Sequence, residues 1–381
     1  MANAADEAAT WAGGRLTIDL AALKANYRLI AWHVAPACAA AVVKADAYGL
    51  GAERVAPALA EAGCRDFFVA MLGEALGLRR HLPGDARLYV LNGLAPGAEA
   101  VCAAAGVIPV LNSLEQAQRW RAQARRLDRR LAAVVQVDSG MSRLGLSPGE
   151  VDRLLASPGF FEDVEVALVM SHLACADTPS AMANQDQLAR YEALAERMGP
   201  RTARSIANSG GCFISGDFHG DLVRPGLALY GAAPVEGVPV RPVVRLEARV
   251  IQLRTIPAGA GVGYGLTYVA PGERRIATIS VGYADGWPRR LGGRAGAYFG
   301  GVRLPIIGRV SMDSMSLDVS DLPEGALSEG ALVELIGPHQ SLETLAGQAE
   351  TIAYEILTGL GDRFARTYLT QPHDVLMGID A

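Results

Sequence analysis

Lysine occurs at only two positions of the 381-residue chain, and one of them could do chemistry. Lys44 follows the apolar run Ala41-Val42-Val43 and precedes Ala45-Asp46-Ala47-Tyr48-Gly49, whereas Lys24 lies in a helical, surface-type pattern. Apolar neighbours favour the neutral form of an amine, which can then attack a carbonyl carbon and form a Schiff base. A solvated lysine that opens a loop is the competing interpretation, and position alone does not separate the two.

Two arginines and a histidine also follow apolar runs. Arg143, in Asp138-Ser139-Gly140-Met141-Ser142-Arg143-Leu144-Gly145, could clamp a carboxylate through two parallel hydrogen bonds, although taken alone a surface ion pair is its more frequent role. Arg224 precedes Pro225-Gly226-Leu227, and His172 follows Met170-Ser171. A lone histidine is more often structural than catalytic.

Small residues suited to a phosphate occur late in the pattern. Asn208-Ser209-Gly210-Gly211 and Pro225-Gly226-Leu227 offer small side chains and backbone N–H groups, and late loops of an α/β barrel often hold phosphates. Two tight turns are the competing interpretation. Tyr264 and Tyr283 stand among glycines that permit a close backbone approach, although aromatic packing over a turn would look the same.

Short apolar runs alternate with longer Ala- and Leu-rich stretches from Arg15 to about Ala233. Strands that alternate with helices form parallel sheets, and the number of repeats favours a closed eight-stranded α/β barrel over an open sheet. The predicted strands are 40–43, 87–91, 107–111, 132–137, 164–170, 204–207 and 227–230. The predicted helices are 51–62, 97–105, 114–125, 148–156 and 182–197.

The pattern changes at about Val238. The segments Val244–Leu253 and Met315–Val319 alternate apolar and polar residues between glycines and prolines, which is typical of antiparallel strands. We therefore expect an α/β barrel over residues 15–235 and a mainly antiparallel β domain over residues 236–381.

The composition excludes several classes of protein. The net charge is −5, with 40 acidic against 35 basic residues, which argues against a nucleic-acid-binding surface. No apolar run is long enough to span a membrane, and Met1 to Gly14 lacks the basic region of a secretory signal. The five cysteines are odd in number and form no C-x-x-C pair, which argues against disulfides and structural zinc and favours the cytoplasm.

Taken together, these segments resemble the alanine racemases, enzymes that depend on pyridoxal 5'-phosphate (PLP). The match runs in register from about Thr17 to Tyr368. No single motif decides it, but their order and spacing are specific. The matching segments are 43–49, 137–145, 171–172, 207–209, 223–226, 263–265, 282–286 and 308–313.

The resemblance implies an architecture and a reaction. The family has a PLP-binding (β/α)8 barrel followed by a β domain, and residues 1–14 are expected to join that domain. It works as a head-to-tail homodimer with shared active sites and interconverts L- and D-alanine. The product serves bacterial peptidoglycan, or the reaction serves alanine catabolism. No metal, nucleic acid or membrane is implied.

The resemblance also implies residue roles. Lys44 would carry the cofactor as an internal aldimine and act as one acid–base group, and Tyr264 of the partner subunit would be the other. Two groups are needed because racemisation removes a proton from one face of a planar centre and returns one to the other. His172 would hydrogen-bond Arg224, and Arg224 would pair with the pyridine nitrogen and leave it unprotonated.

Further matches concern binding. The residues that match phosphate-binding positions are Tyr48, Ser209, Gly226, Leu227 and Tyr354, with Asn208 beside them. Arg143 and the Met312 backbone match contacts to the substrate carboxylate, and Tyr283 and Asp313 match residues near the site entrance.

One position departs from the family pattern. Many members have a lysine carbamate two residues before the aspartate of the D-[ST]-G-M motif, and here that position is Gln136. A neutral carbonyl should bind Arg143 more weakly than a charged carbamate, which bears on carboxylate orientation and substrate preference. A chloride ion could supply the missing charge.

Four alternatives stay open. A broad-specificity or serine racemase would have the same fold. A fold-related decarboxylase would need a cysteine in the β domain, but all five cysteines precede it. A PLP carrier without catalysis would be a single barrel, and a Schiff-base aldolase without PLP would explain Lys44 but not the paired arginines and tyrosines.

Overall fold

The structure, a computed structural model, describes residues 11–199 and 201–371. The chain divides into two compact units, here called the barrel unit and the β unit. The barrel unit comprises Lys24–Leu229 and Ala233–Val240, and the β unit comprises the described residues up to Leu23, Tyr230–Ala232 and those from Arg241 onward. The division into independent domains at residue 235 stays a prediction, and residues 1–10 of the expected terminal segment lie outside the described residues.

Seven parallel strands, each paired with the next along the chain, form the main sheet of the barrel unit. Most of their residues are buried, as expected for strands covered on both faces. The strands are Ala41–Val42, Asp66–Val69, Arg87–Val90, Ile108–Leu111, Leu131–Gln136, Val164–Met170 and Arg204–Ser205.

An eighth strand, Leu222–Val223, closes the ring. It pairs in parallel with Cys38–Ala39, which precedes the first strand of the sheet. On its other side the Asp221 N–H donates to the Arg204 carbonyl at 2.8 Å, and the Arg224 N–H donates to the Ala207 carbonyl at 2.9 Å. The expected α/β barrel is therefore confirmed.

One predicted strand is wrong. Leu227–Tyr230 forms a 3-10 helix, and the Leu229 N–H donates to the Gly226 carbonyl. All four residues are buried, so the apolar run reflects burial rather than strand pairing. The strand Asp66–Val69 was not predicted, because its apolar run continues through Ala70 and Met71 into the helix that begins at Leu72 and does not mark where the strand ends.

Helices follow the strands of the barrel unit, as expected. The strand Val164–Met170 and the helix Met182–Arg197 have the predicted bounds. Capping side chains explain two of the starts, since Ser113 accepts from the Gln116 N–H and Ser147 from the Glu150 N–H. The helices are Leu20–His33, Ala52–Glu61, Leu72–Arg79, Glu99–Ala104, Leu114–Arg126, Pro148–Leu155, Phe160–Asp163 and Met182–Arg197.

The β unit is built on one eight-stranded sheet that closes on itself. Val244–Ile256 is long enough to pair with three neighbours, with irregular registers that bend it around the core. The pairings are antiparallel except that between Gly14–Asp19 and Ala365–Leu369. In sheet order the strands are Arg274–Ile279, Met315–Asp318, Val302–Ile307, Gly296–Phe299, Leu332–Ile336, Val244–Ile256, Gly14–Asp19 and Ala365–Leu369.

Smaller elements complete the β unit. A hairpin joins Gly261–Val262 to Tyr268–Val269, and the two helices are Leu342–Ala349 and Ala353–Gly359. Among the described residues, no helix combines the length and apolar character needed to cross a membrane.

Candidate active site

Lys44 opens a left-handed helical turn. The four residues that follow it, Ala45–Tyr48, have φ between 52° and 58° and ψ between 37° and 50°. None of them is glycine, and each L-residue in this conformation costs roughly 1–2 kcal/mol. The surrounding structure must therefore hold the turn in place.

Hydrogen bonds from both sides of the turn stabilise it. The Ala47 N–H donates to the Val43 carbonyl at 2.9 Å, and the Ala52 N–H donates to the Asp46 carboxylate at 2.7 Å. From a neighbouring helix, the Glu74 carboxylate accepts from the Ala45 N–H at 2.6 Å. The position of the Lys44 amine thus depends on residues of several elements.

The surroundings of Lys44 favour its neutral form. The amine is half-buried, and burial and then the nearby Arg143 guanidinium lower the pKa of Lys44, whereas Glu74 opposes them. A lowered pKa increases the fraction of free amine near neutral pH, which is the form that attacks a carbonyl carbon.

Arg143 lies on a loop that side chains and backbone hold in shape. The Gln136 amide donates to the Leu144 carbonyl at 3.2 Å, and the Leu146 N–H donates to the Gln136 carbonyl at 2.8 Å. The Asp138 carboxylate accepts from the Ser142 N–H, whose residue has a φ of 57°. Arg143 is exposed on this loop.

The hydrogen bond expected between Gln136 and Arg143 is not formed. The Gln136 amide is used to hold the loop, and the Arg143 guanidinium has no hydrogen bond or ion pair with any described residue. Arg143 is therefore available for an anionic ligand.

Arg224 is buried without a carboxylate partner among the described residues. It is 3% exposed, and its guanidinium donates to Ser205 Oγ and to the carbonyls of Ser171 and Ile206. Burial lowers the pKa of Arg224 to about 10. The side chain therefore stays charged at neutral pH, and the bond expected from Arg224 to His172 is not formed in the described structure.

His172 is neutral at physiological pH. Burial, followed by the positive charges of Arg224, Arg143 and Lys44, lowers the pKa of His172 to about 3. Its backbone is held by the Gln187 amide, which donates to the His172 carbonyl at 3.0 Å. A neutral imidazole can accept a hydrogen bond beside these cations without adding to their charge.

Ser209 and Gly226 form a cradle of small groups. Ser209 Oγ accepts from the Gly226 N–H at 2.9 Å and from the Ala228 N–H at 3.3 Å. A Cβ at position 226 would lie 2.2 Å from Tyr48 Oη, so only glycine fits. Asn208 lies beside the cradle, where its carboxamide accepts from the Gly211 N–H. Leu227 begins the 3-10 helix that follows.

In the β unit, Tyr264 lies at the tip of a hairpin. The 3-10 turn Tyr264–Leu266 joins the strands Gly261–Val262 and Tyr268–Val269. Gly263 and Gly265 both have a φ of 71°, a conformation that favours glycine. The Tyr264 side chain is 69% exposed, so the β unit itself does not enclose the phenol.

The segments that carry Tyr283 and Met312 are bonded to each other. The Tyr283 N–H donates to the Ser311 carbonyl at 3.0 Å, and the Ala284 N–H donates to the Met312 carbonyl at 2.9 Å. A Cβ at position 282 would lie 2.3 Å from the Met312 carbonyl oxygen, so this approach requires Gly282.

Arg363 ties the same two segments together through carboxylates. Its guanidinium donates to Asp285 and to Asp313, both at 2.6 Å. The buried Asp285 also accepts from the Gly282 N–H at 2.9 Å. Tyr354 is the remaining predicted site residue of the β unit. It lies on the helix Ala353–Gly359 and is partly exposed.

The predicted site residues fall into two groups, one in each unit. The barrel unit carries Lys44, Tyr48, Gln136, Arg143, His172, Asn208, Ser209, Arg224, Gly226 and Leu227. The β unit carries Tyr264, Tyr283, Met312, Asp313 and Tyr354. In the barrel unit, the charges of Lys44, Arg143, His172 and Arg224 act on one another.

Sequence reasoning missed the residues that hold these groups. The bonds of Glu74 to Ala45, of Ser205 to Arg224 and of Arg363 to Asp285 span 29, 19 and 78 positions of the chain. No local spacing pattern signals a contact of that kind. Asp285 lies within the matched segment 282–286, and this was the one signal in the sequence that could have led to its partner Arg363.

A barrel with a half-buried lysine of lowered pKa at a strand end, beside positively charged side chains, suits the class of enzymes that use a nucleophilic amine. Sequence models described as alanine racemase, N-terminal domain, and alanine racemase, C-terminal domain, match residues 18–234 and 243–368. The chain therefore belongs to the alanine racemase family.

Individual relatives agree over almost the whole length. Alanine racemase of Brucella canis is 56% identical over 379 residues, which cover 96% of each chain. The catabolic alanine racemase of Agrobacterium fabrum is 55% identical over 365 residues, 95% of this chain and 94% of the relative. The crystal structure of alanine racemase from Bartonella henselae, with covalently bound pyridoxal phosphate, superposes with a TM-score of 0.91 at 46% identity and covers 94% of this chain and 100% of that one.

Proposed function

We propose that this protein interconverts L- and D-alanine with PLP held at Lys44. The observation that carries the proposal is the Lys44 amine, which is fixed by a strained turn at a strand end, has a lowered pKa and lies near the unpaired Arg143 guanidinium. The first group suits a carbonyl cofactor, and the second suits the carboxylate of an amino acid.

The barrel residues fit the cofactor that the Bartonella henselae enzyme binds. Ser209 and Gly226 supply a hydroxyl and a backbone N–H in a cradle where a Cβ would collide with Tyr48, and Asn208 and Leu227 flank it. Tyr354 is the phosphate contact proposed from the β unit. Bound there, PLP would supply the electron sink that makes the substrate Cα–H acidic.

Lys44 and Tyr264 are the two proposed proton-transfer groups. The Lys44 amine would take or give the proton at Cα on one face, and the Tyr264 phenol of the partner subunit would do so on the opposite face. Each group is the base for one enantiomer and the acid for the other. The exposure of Tyr264 on its own chain is compatible with a role at a partner's site.

Arg143 and the Met312 backbone are proposed to bind the substrate carboxylate, while Tyr283 and Asp313 line the approach. The contacts of the Tyr283 and Met312 segments, with Arg363 between them, would fix the Met312 N–H. Arg224 would donate to the cofactor ring nitrogen and, with a pKa of about 10, would not protonate it. His172, neutral beside it, adds no charge to the site.

A homodimer is the proposed assembly. The β unit exposes several large apolar side chains, two of which, Leu266 and Val269, share the hairpin of the proposed proton donor, and exposed apolar side chains are typical of an interface. These side chains are Tyr264, Leu266, Val269, Met312 and Ile352.

We further propose a cytoplasmic location, because all five cysteines are free and Cys38 is exposed. Supply of D-alanine for peptidoglycan and alanine catabolism are the two roles proposed.

Optical rotation of alanine solutions tests the activity. The PLP-loaded chain should bring both pure L-alanine and pure D-alanine to zero rotation, and Lys44→Ala and Tyr264→Phe should each slow both reactions by a hundredfold or more. A constant rotation with either enantiomer, from dimers that carry PLP, would refute the proposal.

A racemase of broader specificity is the second candidate. It is favoured by one observation, that Gln136 bonds to Leu144 and leaves Arg143 without a partner to orient it. If this candidate is correct, serine will compete with alanine at comparable kcat/KM. A strong preference for alanine will exclude it.

A further inference from the structure

We propose that Glu74 is a positioning residue for Lys44, one whose carboxylate fixes the start of the left-handed turn and places a negative charge beside the amine. The inference rests on the proposed function only in taking Lys44 as the residue that binds the cofactor. Glu74 belongs to the helix Leu72–Arg79, and none of the proposed site residues lies on that helix.

The Glu74 carboxylate joins the ends of two neighbouring strands. One oxygen accepts from the Ala45 N–H at 2.6 Å, and the other accepts from the Ala70 and Met71 N–H groups at 2.7 and 2.8 Å. Ala45 follows Lys44 directly, and Ala70 follows the strand Asp66–Val69. The backbone connects the same two strands through the bond from the Val43 N–H to the Phe68 carbonyl. The Glu74 side chain therefore extends the connection between the strands beyond that bond.

This connection acts where the backbone is most strained. Ala45 is the first of four consecutive residues with positive φ, and its N–H bond to Glu74 comes from a separate element. If the bond is lost, the turn can relax toward ordinary dihedral angles. The Lys44 amine would then move away from the Ser209–Gly226 cradle in which the cofactor phosphate is proposed to bind.

The charge of Glu74 has a separate effect. The charged and titratable groups that face Lys44 are Arg143 and His172 from other barrel loops and Glu74 from its helix, with Asp46 on its own turn. Arg143 and burial lower the pKa of Lys44, and Glu74 raises it. His172 is neutral above about pH 3, and of the two carboxylates it is Glu74 that opposes the effect of Arg143 on the pKa of Lys44.

An ordinary helix cap would affect neither the position nor the pKa of Lys44. The chain contains such a cap, which serves for comparison. Glu150 accepts from the Ser147 N–H at 2.9 Å at the start of the helix Pro148–Leu155. Glu74 makes the same local bond to Met71 but extends it to Ala70 and Ala45. Glu150→Gln therefore removes the same charge at the same kind of cap without affecting Lys44.

Covalent uptake of PLP by the full-length chain, stripped of cofactor, separates position from charge. The visible absorbance gives the rate and affinity of uptake between about pH 6 and 10, a range that includes ordinary and lowered amine pKa values. Glu74→Ala should weaken PLP affinity about tenfold or more, since it removes hydrogen bonds to a charged group. Glu74→Gln removes the charge and one of the two acceptor oxygens, so its affinity should fall as well, and its rate should reach half-maximum at a lower pH than wild type.

Glu74→Asp and Glu150→Gln complete the comparison. Glu74→Asp keeps the charge but shortens the reach, so affinity should fall while the half-maximal pH stays close to wild type. Glu150→Gln should match wild type in both. Far-UV circular dichroism checks that every variant is folded.

Two results would overturn the inference. A half-maximal pH in Glu74→Gln equal to wild type would remove the role of charge, and wild-type PLP affinity in Glu74→Ala would remove the role in positioning. A different result is expected if the proposed function itself is wrong. In that case, wild type would take up no more PLP than Lys44→Ala. Absence of racemisation alone would leave the Glu74 comparison intact.

Discussion

Three groups that can carry positive charge lie close enough in the barrel unit to affect one another, and burial lowers the pKa of each. They are Lys44, His172 and Arg224, and Arg143 adds a fourth positive charge. Because these groups share one region, the weaker bases give up their protons first. The result is a neutral imidazole and an amine shifted toward its neutral form beside two charged guanidinium groups.

His172 should make the folded protein sensitive to acid. In the unfolded chain its imidazole binds a proton as the pH falls through about 6.5, whereas in the folded chain the pKa of His172 is about 3. The unfolded state therefore binds more protons between these values, and the free energy of unfolding falls as pH falls from about 6.5 toward 3. His172→Gln should remove roughly 2 kcal/mol of the loss between about pH 7.5 and pH 5, measured by urea unfolding. An identical loss in both proteins would contradict the lowered pKa.

Gly226 should be indispensable for cofactor binding because of space. In Gly226→Ala the new Cβ would lie 2.2 Å from Tyr48 Oη, so the phosphate cradle must open. We expect PLP affinity, measured by equilibrium dialysis, to fall at least tenfold. Gly216→Ala is the matched control, because no atom lies within 4 Å of its Cβ position. Equal affinity in the two variants would show that the cradle does not bind the cofactor.

Loops and turns, rather than regular strands, hold the reactive groups in place. The Arg143 loop is held by Gln136 and Asp138, and the Tyr283 and Met312 segments are held by Arg363. In each case a side chain from one segment bonds to the backbone or a carboxylate of another. Changes in these supports should alter substrate binding more than the fold.

Arg363→Met tests this support in the β unit. The variant keeps an unbranched side chain but loses both bonds, to Asp285 and Asp313, so the Met312 N–H should be less well positioned for the substrate carboxylate. We expect KM for alanine to rise about tenfold, with a smaller change in kcat. The control, Arg254→Met, removes an exposed arginine of the same unit whose bond is to Gln252. A reduced kcat at unchanged KM would contradict this role.

Regular elements were predictable from sequence, and strained ones were not. A largely apolar run predicted the strand Val164–Met170, and 3.6-residue periodicity predicted the helix Met182–Arg197. The apolar run Leu227–Tyr230 misled because burial alone does not distinguish a strand from a 3-10 helix. None of the four left-handed residues after Lys44 is a glycine that would signal the turn, and its bond to Glu74 comes from 29 positions away.

In the candidate site, too, some features were predictable from the sequence and others were not. Residues with proposed chemical functions, such as Lys44, Arg143 and Tyr264, stood out by type and by their place after apolar runs or between glycines. Their supports did not, since a contact such as that between Arg363 and Asp285 is formed only in the folded chain. The bond from the Gln136 amide to the Leu144 carbonyl was likewise not predicted, because the sequence drew attention only to the Gln136 carbonyl as an acceptor for Arg143.

At the scale of the whole molecule, the proposed proton-transfer groups belong to different units. Lys44 lies in the barrel unit, and Tyr264 lies on an exposed hairpin of the β unit. A site completed by a partner's Tyr264 would make activity a property of the dimer. Such a site has a direct consequence for mixtures of inactive variants.

Mixing Lys44→Ala with Tyr264→Phe should restore activity. In a two-fold dimer with shared sites, a mixed dimer has one doubly altered site and one intact site. Random exchange makes half of the dimers mixed, so activity should rise to about a quarter of wild type. Subunits are mixed after mild dissociation, and the racemisation rate is then measured. If Tyr264 served the site of its own chain, no activity would return.

Racemisation in heavy water tests the central claim, that two groups on opposite faces transfer the proton. L-alanine is converted with the PLP-loaded protein in D2O, and the deuterium at Cα of each enantiomer is measured during the first few per cent of reaction. With separate groups, the new D-alanine acquires deuterium from the solvent-exchanged acid, while the remaining L-alanine keeps its hydrogen. D-alanine that retains the substrate hydrogen, or equal labelling of both enantiomers, would show that one group serves both faces and would contradict the roles of Lys44 and Tyr264.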